Sequence, residues 1–535
     1  SFGSGAMTND ISGIKKADTI LIIGSDTTTA HPVISGRIKK AARDGKTKLI
    51  VLDPKQIVMA DFADIYAAQR PGSDVAVLNC LTREILLNGW EDKDYIEERT
   101  EGFEELKVEV MKEKYSPENV EKLSGIAAGT LREIAEMFGT ANVAAVYYAM
   151  GITQHTTGVD NVWAIANLQM VCGNVGVVGG GVNPLRGQSN VQGSCDMGAL
   201  PKDYPGYQKV DNPEVQAKFE KAWDRKLNSK IGLFMPEMID GAYNGSVKAI
   251  YVMGENPIMS DPDQTHTIAA FENLDFLVVQ DIFFTETAQY ADVVLPAASF
   301  AEKTGHFTNT ERRIQRIHKL VDPPGISKPD WEIVQMIAKE MGADWDYKHV
   351  SEITNEICEV NPLYGGITWD RIEKVSLQWP CPDTEHPGTP ILHKGTFRRG
   401  KGLMKPIEFK EPDELPDEEY PLTMTTGRLL QHYHTGTMTR KTKGLNNIAG
   451  PQVMISVQDA EELGIGNSET VKIISRRGEV TAPAFVTKRI QKGVIFVPFH
   501  FHEVPINRLT NPAIDPTAKI AELKVSAVRV EKINE

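Results

Sequence analysis

The feature that most restricts the fold is a repeated pattern of short apolar runs that end in glycine or acidic residues. Near the start, ADTILIIGSD at 17–26 is followed by a helical stretch and by a second apolar run, KLIVLDP at 48–54. The same order returns at 247–257, where VKAIYVMGENP precedes a helical stretch and then LDFLVVQD at 274–281. Continuous apolar runs that alternate with helices are typical of parallel sheets with crossover connections. The sequence therefore predicts two related α/β units.

Small and acidic residues follow these runs, at the edge where a parallel sheet binds ligands. Gly24, Asp26 and Asp53 follow the first two runs, and Gly254 and Asp281 follow the later pair. Ligands of such sheets lie beyond the carboxyl ends of the strands. Two units predict two nucleotide-like ligands, or one ligand with two-fold character. The alternative is that α/β units recur only because they are stable.

A glycine-rich loop and an all-β region complete the predicted organisation. Residues 177–201 are rich in glycine and poor in large apolar side chains, which predicts a long functional loop rather than a helix or a strand. From about Thr423 onward, short strand-like runs follow one another, and one of them is broken by a hairpin turn at Gly478. This succession of short strands predicts a compact β-barrel. A linker rich in charged residues and proline is predicted before it, at about 395–420.

Composition and charge exclude several classes of protein. The chain has 58 basic and 72 acidic residues, a net charge of −14, which argues against a general binder of nucleic acid or anionic membranes. No apolar stretch approaches the roughly 18–20 residues that span a bilayer. The five cysteines are too few and too scattered for a disulfide framework, and they form no C-x-x-C pair, which argues against a zinc or iron–sulfur site in this chain. Their number suits a cytoplasmic protein. They are Cys80, Cys172, Cys195, Cys358 and Cys381.

Arg186 is the side chain of the glycine-rich loop that most strongly indicates a ligand. It lies among Gly181, Gly187 and Gly193, which let a ligand approach the backbone closely. A guanidinium in that setting holds a small carboxylate through two parallel hydrogen bonds. The alternative is a surface arginine on a flexible loop. His432 and His434 lie two apart without a third ligand nearby, a spacing that favours hydrogen bonding or packing over a metal site.

The loop NPLRGQSNVQGSCDMGALP at 183–201 resembles the active-site loop of the molybdenum- or tungsten-dependent formate dehydrogenases, within the molybdopterin oxidoreductase family. Four further stretches resemble the same family: VMGENPIMSDPD, VVQDIFFTETAQYADVVLPAASFAEKTGHFTNTERRIQ, KPDW and TTGRLLQHYHTGTMTR. The resemblance runs from Ser1 to about Lys532 and so covers essentially the whole chain.

This resemblance implies a cofactor, a molybdenum or tungsten ion held by the dithiolenes of two molybdopterin guanine dinucleotides, and each α/β unit would bind one dinucleotide. For the first it implies Gly24, Asp26, Asp53, Gly72, Asp74, Gly151 and Gln154. For the second it implies Gly254, Asn256, Ser260, Gln280, Asp281 and Asp330. The barrel would cover the pterins through Arg428, His434, Thr435, Thr437, Asn507 and Lys524.

The resemblance also implies the reaction and its partners. The family oxidises formate to CO₂ reversibly, removing a hydride or a proton from carbon and passing two electrons to the metal. Arg186 would orient formate, and Gln188 would support the same pocket. We expect no metal ligand in this chain, because the cysteine or selenocysteine ligand and a [4Fe–4S] domain should precede Ser1. Implied partners are formate or CO₂ and an iron–sulfur subunit, a hydrogenase or a diaphorase module, with neither nucleic acid nor a membrane span.

The sequence thus predicts an α/β fold of two pseudo-repeated, doubly wound dinucleotide-binding units and a C-terminal six-stranded barrel. The predicted domains are 1–185, 186–415 with the active-site loop and linker, and 416–535. The predicted function is the catalytic portion of a formate dehydrogenase or CO₂ reductase. Two alternatives are another molybdopterin oxidoreductase, such as a nitrate reductase, and a fragment that binds cofactor without turnover.

Overall fold

The computed structural model describes residues 1–533 and divides the chain into two units. Unit 1 comprises Ser1–Gly187, Met259–Thr265 and the chain from Ile391 onward. Unit 2 comprises Gln188–Ile258 and His266–Pro390. The domain boundaries given above stay a prediction.

The strands within residues 1–533 are numbered here in chain order. They are β1 Thr19–Ile23, β2 Lys48–Leu52, β3 Ile65–Ala67, β4 Thr100–Glu101, β5 Ala144–Tyr148, β6 Gly181–Pro184, β7 Asp203–Tyr204, β8 Gln208–Lys209, β9 Ala249–Met253, β10 Phe276–Asp281, β11 Val293–Pro296, β12 Gly305–Thr308, β13 Arg313–Ile317, β14 Leu377–Gln378, β15 Gly402–Leu403, β16 Leu422–Gly427, β17 Val453–Ser456, β18 Thr470–Ser475, β19 Gly478–Thr487, β20 Val494–Pro498 and β21 Ser526–Lys532.

The α-helices are numbered in the same way. They are α1 Thr27–Ala30, α2 Pro32–Arg43, α3 Asp74–Asn88, α4 Lys93–Arg99, α5 Phe103–Val110, α6 Pro117–Ser124, α7 Ala128–Gly139, α8 Met150–Thr153, α9 Gly158–Val171, α10 Val191–Asp196, α11 Pro213–Trp223, α12 Met235–Tyr243, α13 Pro257–Ser260, α14 Gln264–Glu272, α15 Asp330–Glu340, α16 Val350–Val360, α17 Trp369–Ile372, α18 Lys443–Ile448 and α19 Val457–Leu463. None of the helices in residues 1–533 combines the length and the apolar character that crossing a membrane requires.

Unit 1 is built on a parallel sheet with strand order β3-β2-β1-β5-β6. Every residue of β1 and β5 is buried, because both faces of the sheet are covered. Leu21 and Val146 pack into a core with α3, α7 and α9, whereas Ile20 and Ile22 pack on the opposite side with α2. From the junction between β1 and β5, the strand order continues to β2 and β3 on one side and to β6 on the other. This reversal of strand order makes the junction the topological switch point, where such sheets bind ligands.

The glycine-rich region 177–201 is not wholly a loop, contrary to the prediction. Its residues Gly181–Pro184 form β6, which pairs in parallel with β5, and its residues Val191–Asp196 form the short helix α10. Backbone pairing with a buried neighbour makes β6 a strand despite its glycine. Helix α10 buries Gln192 and Asp196, which hydrogen-bond to each other, so no apolar periodicity marked it.

Unit 2 contains the second predicted α/β element in a smaller form. Its parallel sheet has the order β11-β10-β9. Val252, Leu277 and Val279 pack into a core with Ile239 of α12 and Phe271 of α14. The repeated pattern of apolar runs therefore corresponds to a parallel sheet in each unit, as predicted.

Residues 422–532 contain a closed six-stranded barrel with the order β16-β20-β17-β19-β18-β21. Its interior is apolar, with Val453, Ile473 and Ile495 fully buried. Strands β18 and β19 form the predicted hairpin, and Gly478 opens the second of them. The α/β fold with a C-terminal barrel is thus confirmed.

Candidate functional site

At the switch point of unit 1, two glycine backbones touch. Gly24 follows β1 with a φ of +56°, and its carbonyl accepts a 3.0 Å hydrogen bond from the Gly151 N–H. A Cβ added to Gly24 would lie 2.8 Å from the Gly151 carbonyl carbon, and one on Gly151 would lie 2.5 Å from the Gly24 oxygen. Only glycine fits at either position, so the backbone after β1 and the backbone of α8 approach each other directly.

We expect Gly24→Ala to lower the free energy of unfolding by about 3 kcal/mol or more, because the methyl group adds a backbone clash to an unfavourable φ. Gly45→Ala is the matched control, since Gly45 has a φ of +69° but open space around it, and it should cost only about 1 kcal/mol. Urea denaturation measures both changes. Equal destabilisation by the two substitutions would contradict the close approach.

Two predicted carboxylates beyond β1 and β2 are linked through Lys55. Asp53 is buried and accepts a 3.0 Å hydrogen bond from the Lys55 N–H. The Lys55 Nζ lies 3.1 Å from Asp26 Oδ2 and 4.0 Å from the centre of the Phe496 ring of β20. Burial raises the pKa of Asp53 to about 7, and the neighbouring Lys55 opposes that rise. Near neutral pH this carboxyl group can accept or donate a hydrogen bond.

Asp74 and Gly72 are closely surrounded by neighbouring residues. Asp74 begins α3, is buried and accepts a hydrogen bond from Gln69, and burial raises its pKa. His155 Nε2 donates to the Gly151 carbonyl over 2.8 Å and lies 4.0 Å from Asp74 Oδ2. A Cβ on Gly72 would lie 2.3 Å from Cγ of Pro412. Nothing in the local pattern indicated His155, because its partners are distant in the chain.

The remaining residue predicted for the first dinucleotide, Gln154, directly follows helix α8 and is half-buried. It lies next to His155 in the chain, just after the helix whose Gly151 contacts Gly24.

Two cations from the barrel region bond to neutral oxygens. Lys524 Nζ donates to the Thr426 carbonyl over 2.7 Å, and Arg428 Nη1 donates to the Gly187 carbonyl over 3.3 Å. Burial lowers the pKa of Lys524 to about 7, helped by Arg428, while Asp53 opposes the shift. Burial also lowers the pKa of Arg428. Buried cations without a carboxylate partner in residues 1–533 fit an anionic ligand such as a phosphate.

A histidine pair shapes the backbone beside Arg428. His500 is fully buried, its Nε2 accepts the Leu429 N–H at 2.8 Å, and its Nδ1 donates to the His434 carbonyl at 2.5 Å. These bonds fix a neutral tautomer, in line with a burial that lowers the pKa of His500 to about 3. His434 has a φ of +46°, and burial together with Arg428 lowers its pKa to about 4. His500 was not indicated by the sequence pattern.

The other residues predicted in the barrel region form hydrogen bonds within the protein, and one of them also has an acceptor oxygen without a partner within residues 1–533. The Thr435 and Thr437 hydroxyl oxygens are 3.0 Å apart. Asn507 is buried and donates from Nδ2 to the Met259 carbonyl over 2.9 Å, whereas its Oδ1 has no partner within residues 1–533. An unpartnered buried acceptor favours a ligand with an N–H or O–H group. Both ring nitrogens of His432 bond to Thr439 and Ala449, so that side chain serves hydrogen bonding, as predicted.

Arg186 follows β6 at the carboxyl edge of the first sheet. The His31 Nε2 donates to its carbonyl over 2.7 Å, and its Nη2 donates to the Gly5 carbonyl over 3.2 Å. Its charge counters the burial that raises the pKa of Tyr148, the last residue of β5. A Cβ on Gly187 would lie 2.9 Å from Arg428 Nη2. Arg186 is therefore held through both its backbone carbonyl and its guanidinium, and it lies partly exposed at the carboxyl edge of the first sheet.

Of the residues predicted for the second dinucleotide, Gly254 and Asn256 follow β9, Gln280 and Asp281 end β10, Asp330 begins α15, and Ser260 belongs to unit 1. Gly254 has a φ of +65° and open space where a Cβ would project, and its N–H donates to the Gln280 carbonyl over 2.8 Å. Gln280 donates to Asp330 Oδ1 over 2.8 Å. Lys303 forms an ion pair with the other Asp330 oxygen and was not indicated by the sequence.

Asp281, Asn256 and Ser260 are also predicted for the second dinucleotide, and each has different surroundings. Burial raises the pKa of Asp281, which accepts the Phe283 N–H over 3.1 Å. Asn256 is buried and accepts from the Thr287 hydroxyl over 2.7 Å. Ser260 belongs to unit 1 and its Oγ lies 3.4 Å from Asp261 Oδ1.

The glycine-rich region continues into unit 2, where Gln188 is half-buried and Asp196 anchors α10. Asp196 is fully buried, and burial raises its pKa. Four side-chain donors within 2.6–2.8 Å oppose that rise and bind the carboxylate. They are Gln192, Tyr207, Tyr364 and Trp379.

We expect Asp196→Asn to destabilise unit 2 by about 2–4 kcal/mol, because an amide N–H₂ would face donors that now bind a carboxylate oxygen. Asp224→Asn, an exposed substitution in the same unit, should change stability by less than about 0.5 kcal/mol. Thermal denaturation compares the two. A melting temperature of the Asp196 variant equal to that of the control would contradict the anchoring role.

Comparison with known proteins gives a consistent set of similarities. The family described as "Molybdopterin oxidoreductase" matches residues 2–340, and the "Molydopterin dinucleotide binding domain" matches residues 422–527. The chain is 51% identical over 537 residues to the F420-dependent formate dehydrogenase subunit alpha of Methanocaldococcus jannaschii, covering 99% of this chain and 79% of that protein. It is 38% identical over 541 residues to formate dehydrogenase H of Escherichia coli, covering 100% and 75%.

A solved structure resembles the fold. Acetylene hydratase from Pelobacter acetylenicus aligns with a TM-score of 0.74 at 21% identity, covering 98% of this chain and 81% of that one. At this identity the likeness concerns the fold alone.

Proposed function

Because the chain belongs to the molybdopterin oxidoreductase family, we propose that it is the catalytic portion of a formate dehydrogenase, which oxidises formate to CO₂ at a molybdopterin centre. The observation that carries the proposal is the 51% identity to a formate dehydrogenase alpha subunit over 99% of this chain. The RGQ sequence at 186–188 supports it. The reverse reaction, reduction of CO₂, belongs to the same proposal.

The matched dinucleotide-binding domain supports a molybdopterin dinucleotide as the cofactor. Its finer composition, two guanine dinucleotides with molybdenum or tungsten, is part of the proposal. Arg428 and Lys524 would hold pyrophosphate, and Asp26 and Asp53 would accept from ribose hydroxyl or guanine N–H groups. The unpartnered Asn507 Oδ1 would accept another such hydrogen bond.

The second dinucleotide would be held in the same way by residues after β9, at the end of β10 and at the start of α15 in unit 2. These are the open backbone at Gly254 and the polar group of Asn256, Gln280, Asp281 and Asp330. Gly72, Asp74, Gly151, Gln154, Ser260, His434, Thr435 and Thr437 complete the proposed cofactor-binding residues.

Arg186 would bind the formate carboxylate through its guanidinium and hold the carbon–hydrogen bond in a fixed direction. Its charge would neutralise the bound carboxylate and hold it in place for cleavage of the carbon–hydrogen bond, which is a positioning and electrostatic role. Gln188 is assigned the same task from the family resemblance alone. The molybdopterin metal centre, when bound, would supply the acceptor for the two electrons of the oxidation.

The relatives are alpha subunits, which implies partner subunits. We propose an iron–sulfur electron-transfer subunit as the first partner, with a hydrogenase or diaphorase module as the alternative acceptors. A [4Fe–4S] cluster and the cysteine or selenocysteine ligand to the metal are proposed for residues ahead of Ser1. A cytoplasmic location is proposed from the cysteine pattern.

Formate-dependent reduction of a viologen dye by the complete protein tests the proposal. The same preparation is analysed for metal by elemental mass spectrometry and for pterin by oxidative release. Turnover with formate and none with nitrate supports the proposal. Nitrate turnover without formate turnover would favour a nitrate reductase, and bound cofactor without either activity would favour a binding fragment.

A further inference from the structure

A buried histidine holds the segment of unit 1 that contacts Gly24. We call residues 150–157, which comprise helix α8 and the turn after it, the α8 segment. His155 is 2% exposed, and its Nε2 donates a 2.8 Å hydrogen bond to the Gly151 carbonyl. The Gly151 N–H donates in turn to the Gly24 carbonyl over 3.0 Å. The position of Gly151 therefore depends on His155 on one side and on Gly24 on the other.

The other nitrogen of the His155 ring faces a carboxylate from late in the chain. Nδ1 has no hydrogen-bond partner in residues 1–533 and lies 3.7 Å from Oε1 of Glu522, which is fully buried. The same oxygen accepts hydrogen bonds of 3.3 Å from both the N–H and the hydroxyl of Thr156. Glu522 lies two residues before Lys524, and all of these residues belong to unit 1. The α8 segment is thereby joined to the segment that carries Lys524.

Two buried carboxylates flank the His155 ring. Asp74 Oδ2 lies 4.0 Å from Nε2, and within residues 1–533 no lysine or arginine forms an ion pair with Asp74 or Glu522. Burial raises the pKa of Asp74, and His155 together with Gln69 opposes that rise. A buried carboxylate without a polar or charged partner is costly. An apolar ring in place of the imidazole would leave both carboxylates less well compensated.

We propose that His155 is a positioning residue for the first dinucleotide, on which it acts through Gly151 and Gln154. The inference rests on the proposed cofactor and adds a residue that the family resemblance did not indicate. Because His155 holds the α8 segment and the ring lies against Glu522, it fixes the distance between Gln154 and Lys524. A site whose parts are held in place before binding retains its ligand longer, since less order has to be gained on binding.

Two substitutions separate the hydrogen bond of His155 from its packing. His155→Gln places an amide N–H₂ near the position of Nε2 and can keep the bond to Gly151, whereas the shorter side chain of His155→Asn cannot reach it. In the cofactor-free protein, we expect hydrogen exchange at Gly151 to be about tenfold faster in His155→Asn and within about twofold of the parent in His155→Gln. Mass spectrometry of peptides that span residues 149–157 measures the exchange.

The control for this experiment is His318→Asn, which changes an exposed histidine and should leave the exchange at Gly151 unchanged. Equal exchange in His155→Gln and His155→Asn would overturn the positioning role, because both substitutions remove the imidazole and only one removes the hydrogen bond.

Release of pterin from the loaded protein measures the consequence for the dinucleotide. We expect release about fivefold or more faster in His155→Asn than in the parent, and within about twofold of the parent in His155→Gln. Faster exchange at Gly151 without faster release would overturn the role in dinucleotide binding. Bound pterin without formate turnover in the parent would instead remove the proposed reaction and leave this comparison valid.

The connection between His155 and Glu522 is tested by combining substitutions. Glu522→Gln should also accelerate the release of pterin. If the two residues act as one link, the double variant should release pterin more slowly than the product of the two single effects predicts. Single effects that multiply in the double variant would show that the residues act independently and would overturn the link.

Discussion

Arg186→Lys is expected to lower kcat/KM for formate by about 100-fold or more while the metal and pterin contents stay unchanged. Lysine keeps the positive charge but presents a single ammonium in place of the planar pair of N–H groups that a carboxylate binds. Removal of one positioned donor to a developing charge typically costs about 100- to 1,000-fold in rate. Steady-state dye reduction with formate measures the change.

The matched control is Arg225→Lys, which changes an exposed arginine of unit 2 and should leave kcat/KM within about twofold. Arg186→Ala should lose more activity than Arg186→Lys, and added guanidinium should restore part of it. An Arg186→Lys enzyme with unchanged kcat and KM would remove this residue from the active site.

Lys524→Met is expected to act in opposite directions on the loaded and the cofactor-free protein. In the loaded protein we expect the metal and pterin contents to fall by about tenfold or more, because a phosphate would lose its buried cation. In the cofactor-free protein the same substitution should raise the free energy of unfolding by about 2 kcal/mol or more at pH 7, because it removes a desolvated amine.

The pH dependence of the cofactor-free protein follows from the same group. The folded pKa of Lys524, about 7, lies below the ordinary value of 10.5, so the unfolded chain binds more protons between these two values. The contribution of Lys524 to stability should therefore rise as the pH rises from about 7 to about 10 and should vanish in Lys524→Met.

Lys46→Met, at an exposed position of unit 1, is the control and should change neither cofactor content nor this pH profile. A Lys524→Met protein that keeps its full cofactor content would contradict the anion-binding role.

Much of the fold could be predicted because local pattern and tertiary structure agree. The runs that end at Ile23 and Leu52 are buried parallel strands, and the break at Gly478 is a hairpin in the barrel. Residues directly beyond a buried strand, such as Gly24 and Asp53, could be placed at the ligand edge for the same reason.

The unpredicted parts of the candidate site depend on partners that are distant in the sequence. His500 is 66 residues from His434, and Asp196 binds Tyr364 and Trp379 across 168 and 183 residues. Such pairs leave no periodicity in the chain. Helix α10 was not predicted for a related reason. It buries polar side chains that hydrogen-bond to one another, so it has no apolar stripe.

The composition of unit 1 has a consequence for how the protein is made. Its sheet comes from residues 1–187, but Arg428, Asn507 and Lys524 belong to the part that begins at Ile391. A ribosome that has translated the whole of unit 2 has therefore not yet produced either buried cation. On the proposed assignment, a dinucleotide at the first sheet would be retained only after the chain has been synthesised past Lys524, and a nascent chain truncated before the barrel would lack the two cations proposed to hold it.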